Sequence, residues 1–301
     1  MKIGIIILNY VNYKILFECV ESLKKQEGFD ECDIAIVDNN SPNDSVSQII
    51  AYLNCPNIHF LKSKNNVGYA QGNNIGFDFL KSTCKCETII VANSDIILEN
   101  ETFLSEIKKA IHRYENYQII APDVINPLGI HSNPFGLSFI SKKNISKIIF
   151  RTKLSYLCLK IGLDLTIFKG KKINNVITES DHPYDDYFVP HGSCIIFTPS
   201  WTSSEDRCFF PGTFLFCEEN FLVSYIVAKN YKMIYEPSLQ ILHKEDGSID
   251  ATSKTIRKKK LFVRKCQLES LKKYRSFLKN PLDSWSKDNP YDDKNVEMVS
   301  Q

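Results

Sequence analysis

The sequence predicts an α/β protein with a mostly parallel central sheet and helices on both of its faces. Over residues 1–115, short apolar runs alternate with stretches in which apolar residues recur at helical spacing. Three of these runs end in polar residues, at Asn9, at Asp38 and at 93–95. Parallel strands end at the same edge of a sheet, and ligands of α/β folds bind at that edge. The polar residues at these strand ends are therefore candidates for a ligand-binding site.

The first elements are predicted to alternate strictly along the chain. The predicted strands are residues 3–8, 32–38, 57–62 and 87–93, and the predicted helices are residues 15–25, 46–53, 69–80 and 103–111. The first of these strands is a continuous apolar run, which is typical of a strand buried on both faces of a parallel sheet. The side chain of Asn100 is predicted to cap the fourth helix.

The pattern becomes less regular after Pro122. We expect a return strand at 192–199, a helix at 218–231 and a pair of strands within 231–243. The stretch that comes nearest to a membrane span, residues 148–168, is interrupted by three cations and one acid. It is predicted to be an amphipathic or core helix, because a membrane span needs about 20 apolar residues.

Charge is distributed unevenly along the chain. The 301 residues are 43% hydrophobic and 24% charged with a net charge of +2, which predicts a globular protein with a substantial core. Residues 254–275, however, contain ten Lys or Arg and one acid. We expect this segment to dock on an anionic membrane surface, the alternative being a solvated helix that covers the sheet. Nucleic-acid binding is not expected, because no aromatic platform or reader motif accompanies the cations.

The ten cysteines are scattered, and Cys19 and Cys194 lie in apolar runs. Together with the lack of a recognisable signal peptide, this favours reduced thiols and a cytoplasmic protein. Cys84 and Cys86 are separated by one residue rather than by the two of a zinc knuckle, and no second pair matches them. We therefore interpret this pair as structural.

The polar residues at the strand ends have two interpretations each. A carboxylate at the end of a buried strand is costly unless something compensates it. Asp95 belongs either to a turn or helix cap, or to a site that holds Mg²⁺ or Mn²⁺ against phosphate oxygens. Asp38 either forms an Asx turn or accepts hydrogen bonds from a ribose or a base.

Later motifs leave similar alternatives open. Glu218 and Glu219 open a helix, where the dipole favours acids, but one of them could also act as a general base. His243 ends a strand, either as a packed side chain or as a metal ligand. Three glycines recur at four-residue spacing, namely Gly68, Gly72 and Gly76. They serve either helix packing or the close approach of a nucleotide.

The motifs as a set resemble one known family. In chain order they are "IIILNYVNY", "IVDNNSPND", "NNVGYAQGNNIG", "VANSDI", "HGSCIIF", "FLFCEENF" and "YEPSLQILH". Over residues 1–245 this order resembles the inverting family-2 glycosyltransferases with a GT-A fold. The similarity is greatest to the bacterial rhamnosyltransferase-like branch that builds surface polysaccharides.

The resemblance implies a donor site and a cation site. The residues that would bind the nucleotide and its sugar are Asn9, Tyr10, Asp38, Asn66, Gly68, Asn74, Asn93 and Ser94. Asp95 would bind Mg²⁺ or Mn²⁺ at the second acid of the family's D-x-D motif, and His243 would contact the metal or the diphosphate. Asn93 replaces the first acid of that motif.

The resemblance also implies where the reaction takes place. Glu219 matches the second acid of the family's E-D pair and would be the catalytic base, with Glu218 as the other candidate. His191 and Gly192 would meet the acceptor. Phe221 stands where many members carry another Asp.

The resemblance divides the chain into three parts. Residues 1–245 would form a GT-A domain, with a nucleotide-binding half at 1–122 and an acceptor and catalytic half at 123–245. Residues 246–279 would add a basic amphipathic helical extension. Residues 280–301 are predicted to be a polar, disordered tail.

The implied activity is metal-dependent inverting transfer of a sugar, with rhamnose a candidate, from a UDP- or dTDP-linked donor. The acceptor would be a saccharide, linked to lipid through a diphosphate, so the protein would work in the cytoplasm at the inner face of the plasma membrane. The alternative is a catalytically weak nucleotide-sugar-binding protein of the same fold, for which the departures at Asn93 and Phe221 would be typical.

Overall fold

A computed structural model describes residues 1–52, 55–136, 139–163, 183–245, 256–287 and 296–298. In these segments the strands are β1 Ile3–Asn9, β2 Cys32–Asp38, β3 Ile58–Ser63, β4 Thr88–Asn93, β5 Ile96–Ile97, β6 Ile119–Ile125, β7 Cys194–Phe197, β8 Met233–His243 and β9 Val296–Met298. The helices there are α1 Tyr13–Lys24, α2 Ser45–Tyr52, α3 Gly68–Asp78, α4 Phe103–Arg113, α5 Ile145–Lys160, α6 Pro199–Thr202, α7 Glu218–Lys229, α8 Ile256–Phe277 and α9 Pro281–Lys287.

The strands form one sheet in the order β5-β8-β6-β7-β4-β1-β2-β3-β9. The α/β class is confirmed, and β1, β2, β3 and β4 pair in parallel as expected. The sheet as a whole is mixed rather than purely parallel, because β7 runs antiparallel to both β4 and β6. A strand buried on both faces is apolar in either direction, so composition alone did not reveal this reversal.

Two predictions for the second half of the chain are wrong. Strand β6 was missed because Pro122 interrupts it, and proline lacks the N–H that a strand interior needs. The predicted pair of strands within 231–243 is the single strand β8. Pairing between β6 and β8 shifts register after Pro122, so the Glu236-Pro237-Ser238 segment forms a bulge instead of a turn.

Helices cover both faces of the sheet, as predicted. On one face, α1 and α4 contribute buried residues such as Leu16 and Ile107. On the other face, α3 and α7 contribute Phe77 and Phe221. The predicted cap Asn100 lies outside α4, whose Phe103 N–H donates instead to the Gln26 side chain at 3.0 Å.

The basic helix α8 packs on the body of the fold. Its Tyr274 is fully buried, with its ring 4.9 Å from that of Phe221 and its hydroxyl 2.6 Å from Ser224 of α7. Several of its cations are exposed, among them Lys265, Lys272 and Arg275. Helix α5 is amphipathic within the described residues, with Ile149 buried and Phe150 67% exposed. None of the described helices is both long and apolar enough to cross a membrane.

The tail predicted to be disordered from residue 280 contains the short helix α9. Its Trp285 is buried and stacks on Tyr225 with ring centroids 4.1 Å apart. Strand β9 pairs antiparallel with β3 at Leu61–Ser63, and the other residues after 287 lie outside the described segments. A single aromatic residue anchors the first part of the tail, which its polar composition did not indicate.

Candidate active site

The carboxyl ends of β1, β2 and β4 carry polar side chains to one edge of the sheet, as predicted. The edge is completed by the last residue of β8, His243, because β5 pairs antiparallel with β8 and brings Ile96 opposite His243. Ligands of α/β sheets bind at such an edge. We therefore define this edge as the candidate active site.

Asp95 and His243 form its first contact. Asp95 lies in the tight connection between β4 and β5, is 5% exposed, and its Oδ1 atom is 3.2 Å from His243 Nε2. The backbone carbonyl of Asp95 accepts a hydrogen bond from the Lys244 N–H at 3.0 Å. Helix α4 begins only at Phe103, so Asp95 does not cap it. The carboxylate faces an imidazole, an arrangement that suits a shared cation or a hydrogen bond.

His191 lies beside this pair. Its ring centroid is 5.1 Å from that of His243, and its Nδ1 atom is 2.8 Å from the Ser193 hydroxyl. Burial, assisted by the neighbouring His243, lowers the pKa of His191 to about 4, while Asp95 acts in the opposite direction. The imidazole of His191 is therefore neutral at physiological pH and offers a hydrogen bond rather than a charge.

Tyr69, the second residue of α3, joins the two halves of the site. Its hydroxyl donates to the Gly192 carbonyl at 2.7 Å and lies 3.2 Å from Asn93 Oδ1. The Asn93 N–H in turn donates to the Ser193 carbonyl at 2.8 Å. Burial and the nearby carboxylates of Glu219 and Glu218 raise the pKa of Tyr69 well above its usual value, so the phenol stays protonated. Sequence analysis did not select Tyr69, because nothing local distinguishes it from a packing aromatic.

Glu219 lies so close to Gly192 that a side chain at that position would displace the Glu219 carboxylate. A Cβ atom on Gly192 would lie 2.1 Å from Glu219 Oε1. The close approach depends on the turn before α7, where Phe216 and Cys217 have φ angles of 75° and 73°. Residues other than glycine rarely adopt this region, so the surrounding packing must hold the turn in place.

Glu218 is directed elsewhere. It is 3% exposed, and its Oε1 atom accepts a hydrogen bond from the Thr213 hydroxyl at 3.2 Å. Burial raises the pKa of both glutamates, and the charge of Glu219 raises that of Glu218 further. A carboxylate with a raised pKa is suited to proton transfer near neutral pH. The two acids therefore share an environment but face different partners.

The predicted base- and ribose-binding residues form a closed cluster. The buried carboxylate of Asp38 accepts hydrogen bonds from Asn9 Nδ2 at 2.8 Å and from the Ser41 N–H at 2.8 Å and hydroxyl at 2.6 Å. Asn9 Oδ1 is buried without a hydrogen-bond partner. The adjacent Tyr10 is half-buried. An unpaired buried acceptor is costly, so Asn9 Oδ1 is an atom to which a ligand donor would be attracted.

The loop before α3 closes over this cluster. Asn39 accepts from the Val67 N–H at 2.9 Å and donates to the Gly68 carbonyl at 3.1 Å, while Asn66 accepts from the Gly68 N–H at 3.1 Å. Gly68 has a φ of 83°, and a Cβ there would lie 2.2 Å from the Phe214 carbonyl oxygen. Only glycine fits this position.

The other two glycines of that motif pack inside the fold. A Cβ on Gly72 would lie 2.5 Å from Leu8, and one on Gly76 would lie 2.6 Å from Ile6, so both allow α3 to approach β1. Asn74 also has a structural role instead of the predicted donor contact. Its amide donates to the Phe209 carbonyl at 2.8 Å and accepts from two backbone N–H groups of the same loop.

These features define a class of protein, an α/β domain of the GT-A type with a polar site at the carboxyl edge of its sheet. Residues 4–152 match the family model described as Glycosyl transferase family 2. This part of the chain is therefore similar to glycosyl transferase family 2, as the motifs predicted. The matched region includes Asp38 and Asp95 and ends before Glu219 and His243.

One characterised relative is the low-salt glycan biosynthesis hexosyltransferase Agl10 of Haloferax volcanii. It is 28% identical over 190 residues, which cover 63% of this chain and 51% of the relative. The chain thus spans about half the length of that protein. No rhamnosyl preference follows from this match.

Solved structures of similar fold include S. aureus TarS 1–349. That structure superposes with a TM-score of 0.53 and 14% identity, covering 98% of this chain and 77% of the other. A second structure, TarS 1–349 in complex with UDP-GlcNAc, has a TM-score of 0.53 and 15% identity, covering 85% of this chain and 62% of the other. At these identities the likeness supports the fold.

Replacing Glu218 with Gln should stabilise the protein, and more so at high pH. A buried acid with a raised pKa holds its proton more tightly in the folded state, so stability falls as the pH rises above the unfolded value of about 4.3. Glu218→Gln removes this loss and retains an acceptor for Thr213. We expect thermal melts to show a gain of about 2 °C or more near pH 8 and a smaller gain near pH 5.

The matched control is Glu101→Gln, at an exposed acid. It should change the melting temperature little at either pH, because exposed substitutions are usually close to neutral. A gain for Glu218→Gln that is equal at both pH values would contradict a raised pKa for this carboxyl group.

Proposed function

We propose that the chain is an inverting glycosyltransferase that moves a sugar from a UDP- or dTDP-sugar to a saccharide acceptor. One observation carries the proposal: Glu219 lies against Gly192 at the edge where Tyr69 and Asn93 meet. A base, a backbone acceptor and the strand-end polar groups are thereby gathered at one place. The names of the similar proteins, a glycan-biosynthesis hexosyltransferase and a structure holding UDP-GlcNAc, support a nucleotide-sugar donor.

The donor would bind across the ends of β1, β2 and β4. Asn9 Oδ1 is the unpaired buried acceptor in this region, and Asp38 fixes the orientation of the Asn9 amide through its hydrogen bond to Nδ2. Asn66 and Gly68 would close over the base and ribose from the loop before α3. Tyr10, Ser94 and Asn93 would flank the ribose and diphosphate. In this arrangement the Asp38 carboxylate is buried and orients the Asn9 side chain.

Asp95 and His243 are suited to hold Mg²⁺ or Mn²⁺. They offer one carboxylate oxygen and one imidazole nitrogen 3.2 Å apart, and such cations complete their coordination with water and phosphate oxygens. When bound, the cation would supply charge neutralisation for the leaving diphosphate. Asn93 contributes an amide that is already engaged by Tyr69, so we assign it to orientation rather than to metal binding.

Glu219 would take the proton from the acceptor hydroxyl at its Oε1 atom, while the oxygen attacks the anomeric carbon. A single displacement with one base inverts the anomeric configuration, whereas a retaining pair of carboxylates would flank the bond at about 5 Å. Glu218 cannot complete such a pair, since it faces Thr213. His191 and Gly192 would border the acceptor, with Tyr69 holding the Gly192 carbonyl.

Replacing the two acids should separate chemistry from donor binding. With a panel of UDP-, dTDP- and GDP-sugars, a saccharide acceptor and Mn²⁺, we expect nucleotide release from one donor. Glu219→Gln should lower kcat by about 10²–10⁴-fold with donor affinity retained, because it removes the general base alone. Asp95→Ala should weaken donor binding measured by calorimetry in the presence of Mn²⁺.

Glu101→Gln again serves as the control and should retain full release. Full activity of Glu219→Gln would contradict its assignment as the base. Donor binding that is unchanged in Asp95→Ala and insensitive to chelator would contradict the cation site.

The second candidate function is a nucleotide-sugar-binding protein with little catalytic activity. Phe221, which stands where many family members carry an acid, is fully buried and stacks on Phe210 with ring centroids 4.7 Å apart. It belongs to the core and offers no polar group to the site. Donor binding without nucleotide release, in the presence of lipid-linked acceptors, would favour this candidate.

We further propose that α8 brings the site to a lipid-linked acceptor on an anionic membrane. Its sequence contains nine Lys or Arg and one acid, and Lys265, Lys272 and Arg275 are exposed. Each basic residue near an anionic surface contributes about 1 kcal/mol. The helix also supports the fold through Tyr274, so deleting it would confuse docking with unfolding.

Docking is therefore tested by removing charge while keeping the helix. A triple variant with Lys265→Gln, Lys272→Gln and Arg275→Gln should bind vesicles containing phosphatidylglycerol much more weakly at low salt. The control replaces three exposed lysines elsewhere, Lys14, Lys25 and Lys109, with Gln. Equal loss in both variants, or no loss in the first, would contradict a docking role for α8.

A further inference from the structure

A second cluster of ligating side chains lies at the opposite edge of the sheet from the candidate active site. Asp33 is the second residue of β2, His59 is the second residue of β3, and Cys84 lies in the turn before β4. One carboxylate oxygen, one imidazole nitrogen and one sulfur of these residues all lie within 4.8 Å of one another. The three residues come from separate segments, so their meeting is a property of the fold.

The donor atoms of the cluster are close enough to serve one ion, for which His59 Nε2 and Asp33 Oδ1, now at hydrogen-bond distance, would move apart by about 0.5 Å. His59 Nε2 is 2.7 Å from Asp33 Oδ1 and 3.7 Å from Cys84 Sγ. Cys86 Sγ approaches Asp33 Oδ2 at 3.9 Å. Zinc binds nitrogen at about 2.0 Å and thiolate at about 2.3 Å, which places tetrahedral ligands about 3–4 Å apart.

The turn that carries the two cysteines is tight. Lys85, between them, has a φ of 59°, a conformation that residues other than glycine adopt uncommonly. Cys84 and Cys86 are thus separated by one residue, which excludes a zinc knuckle, and they lie on either side of a tight turn. His59 and Asp33, rather than a second cysteine pair, complete the set.

Lys2 lies beside the cluster and contacts two of its residues. Its ammonium group pairs with Asp33 Oδ2 and donates to the Cys84 carbonyl at 3.1 Å. The Lys2 side chain is 44% exposed, so it is free to turn toward solvent. Asp33 Oδ1, on the His59 side, remains available to a cation even while Lys2 is in place.

We propose that Asp33, His59 and Cys84 bind a zinc-type divalent cation, and that Cys86, whose Sγ atom lies 3.9 Å from Asp33 Oδ2, supplies the fourth ligand after a movement of its side chain. A mixed set of sulfur, nitrogen and oxygen suits zinc, whereas Mg²⁺ and Mn²⁺ prefer the oxygen ligands expected at the nucleotide site. The bound ion clips β2 and β3 to the turn before β4, far from the transfer chemistry. Its role is structural, and it is independent of the proposed function.

Cobalt(II) provides the test, because tetrahedral cobalt–thiolate sites absorb strongly in the visible and near ultraviolet. Titrating the metal-free protein with Co²⁺ should produce these bands at one equivalent, and Zn²⁺ should abolish them. Zn²⁺ should also raise the melting temperature of the wild-type protein. Cys84→Ser and His59→Gln should each weaken binding by at least about tenfold.

Two variants serve as controls. Cys55→Ser, at a half-buried cysteine outside the cluster, should leave the cobalt spectrum unchanged. Asp95→Ala should also leave it unchanged, which separates this site from the cation of the candidate active site. Absence of thiolate–cobalt bands, together with a wild-type melting temperature that Zn²⁺ does not change, would overturn the proposal and leave an ion-pair cluster of Lys2, Asp33 and His59.

Discussion

The close approach of Glu219 to Gly192 is the constraint on which the rest of the site depends. The carboxylate keeps its present position at the strand-end edge because position 192 has no side chain and because the turn at Phe216 and Cys217 adopts positive φ angles. Tyr69 holds the Gly192 carbonyl from the other side. The residues just before β7, the first turn of α3 and the start of α7 are thus fixed relative to one another by a few contacts.

The burial of Glu218 and Glu219 affects both the stability of the fold and the proposed proton transfer. Burying Glu218 and Glu219 together raises their pKa values, which makes a useful base and also makes the folded state less favourable when both ionise. The surrounding aromatic packing offsets part of that cost, since Phe221 and Tyr274 anchor α7 to α8. The basic helix therefore supports α7, which carries the proposed base, whether or not it also meets a membrane.

Most of the first half of the fold could be predicted because apolar runs such as residues 3–8 indicate buried strands by themselves. The prediction missed β6, because Pro122 is unfavourable inside a strand. It also did not reveal that β7 runs antiparallel to its neighbours. Asp95 and His243 were paired by family resemblance, and the structure places them in contact. Tyr69 and the Asp33–His59 pair were beyond prediction, because each depends on contacts between distant segments. Asn74 was misassigned because a buried amide and a ligand-binding amide look alike in a sequence.

The anomeric configuration of the product tests the central claim most directly. With the donor selected by nucleotide release and a defined saccharide acceptor, proton NMR of the initial product reports the configuration at the new glycosidic bond. A single displacement assisted by Glu219 predicts a configuration opposite to that of the donor. Retention of the donor configuration would contradict the account, because the neighbouring acid Glu218 is engaged by Thr213 and is not placed to act as a second carboxylate in a double displacement.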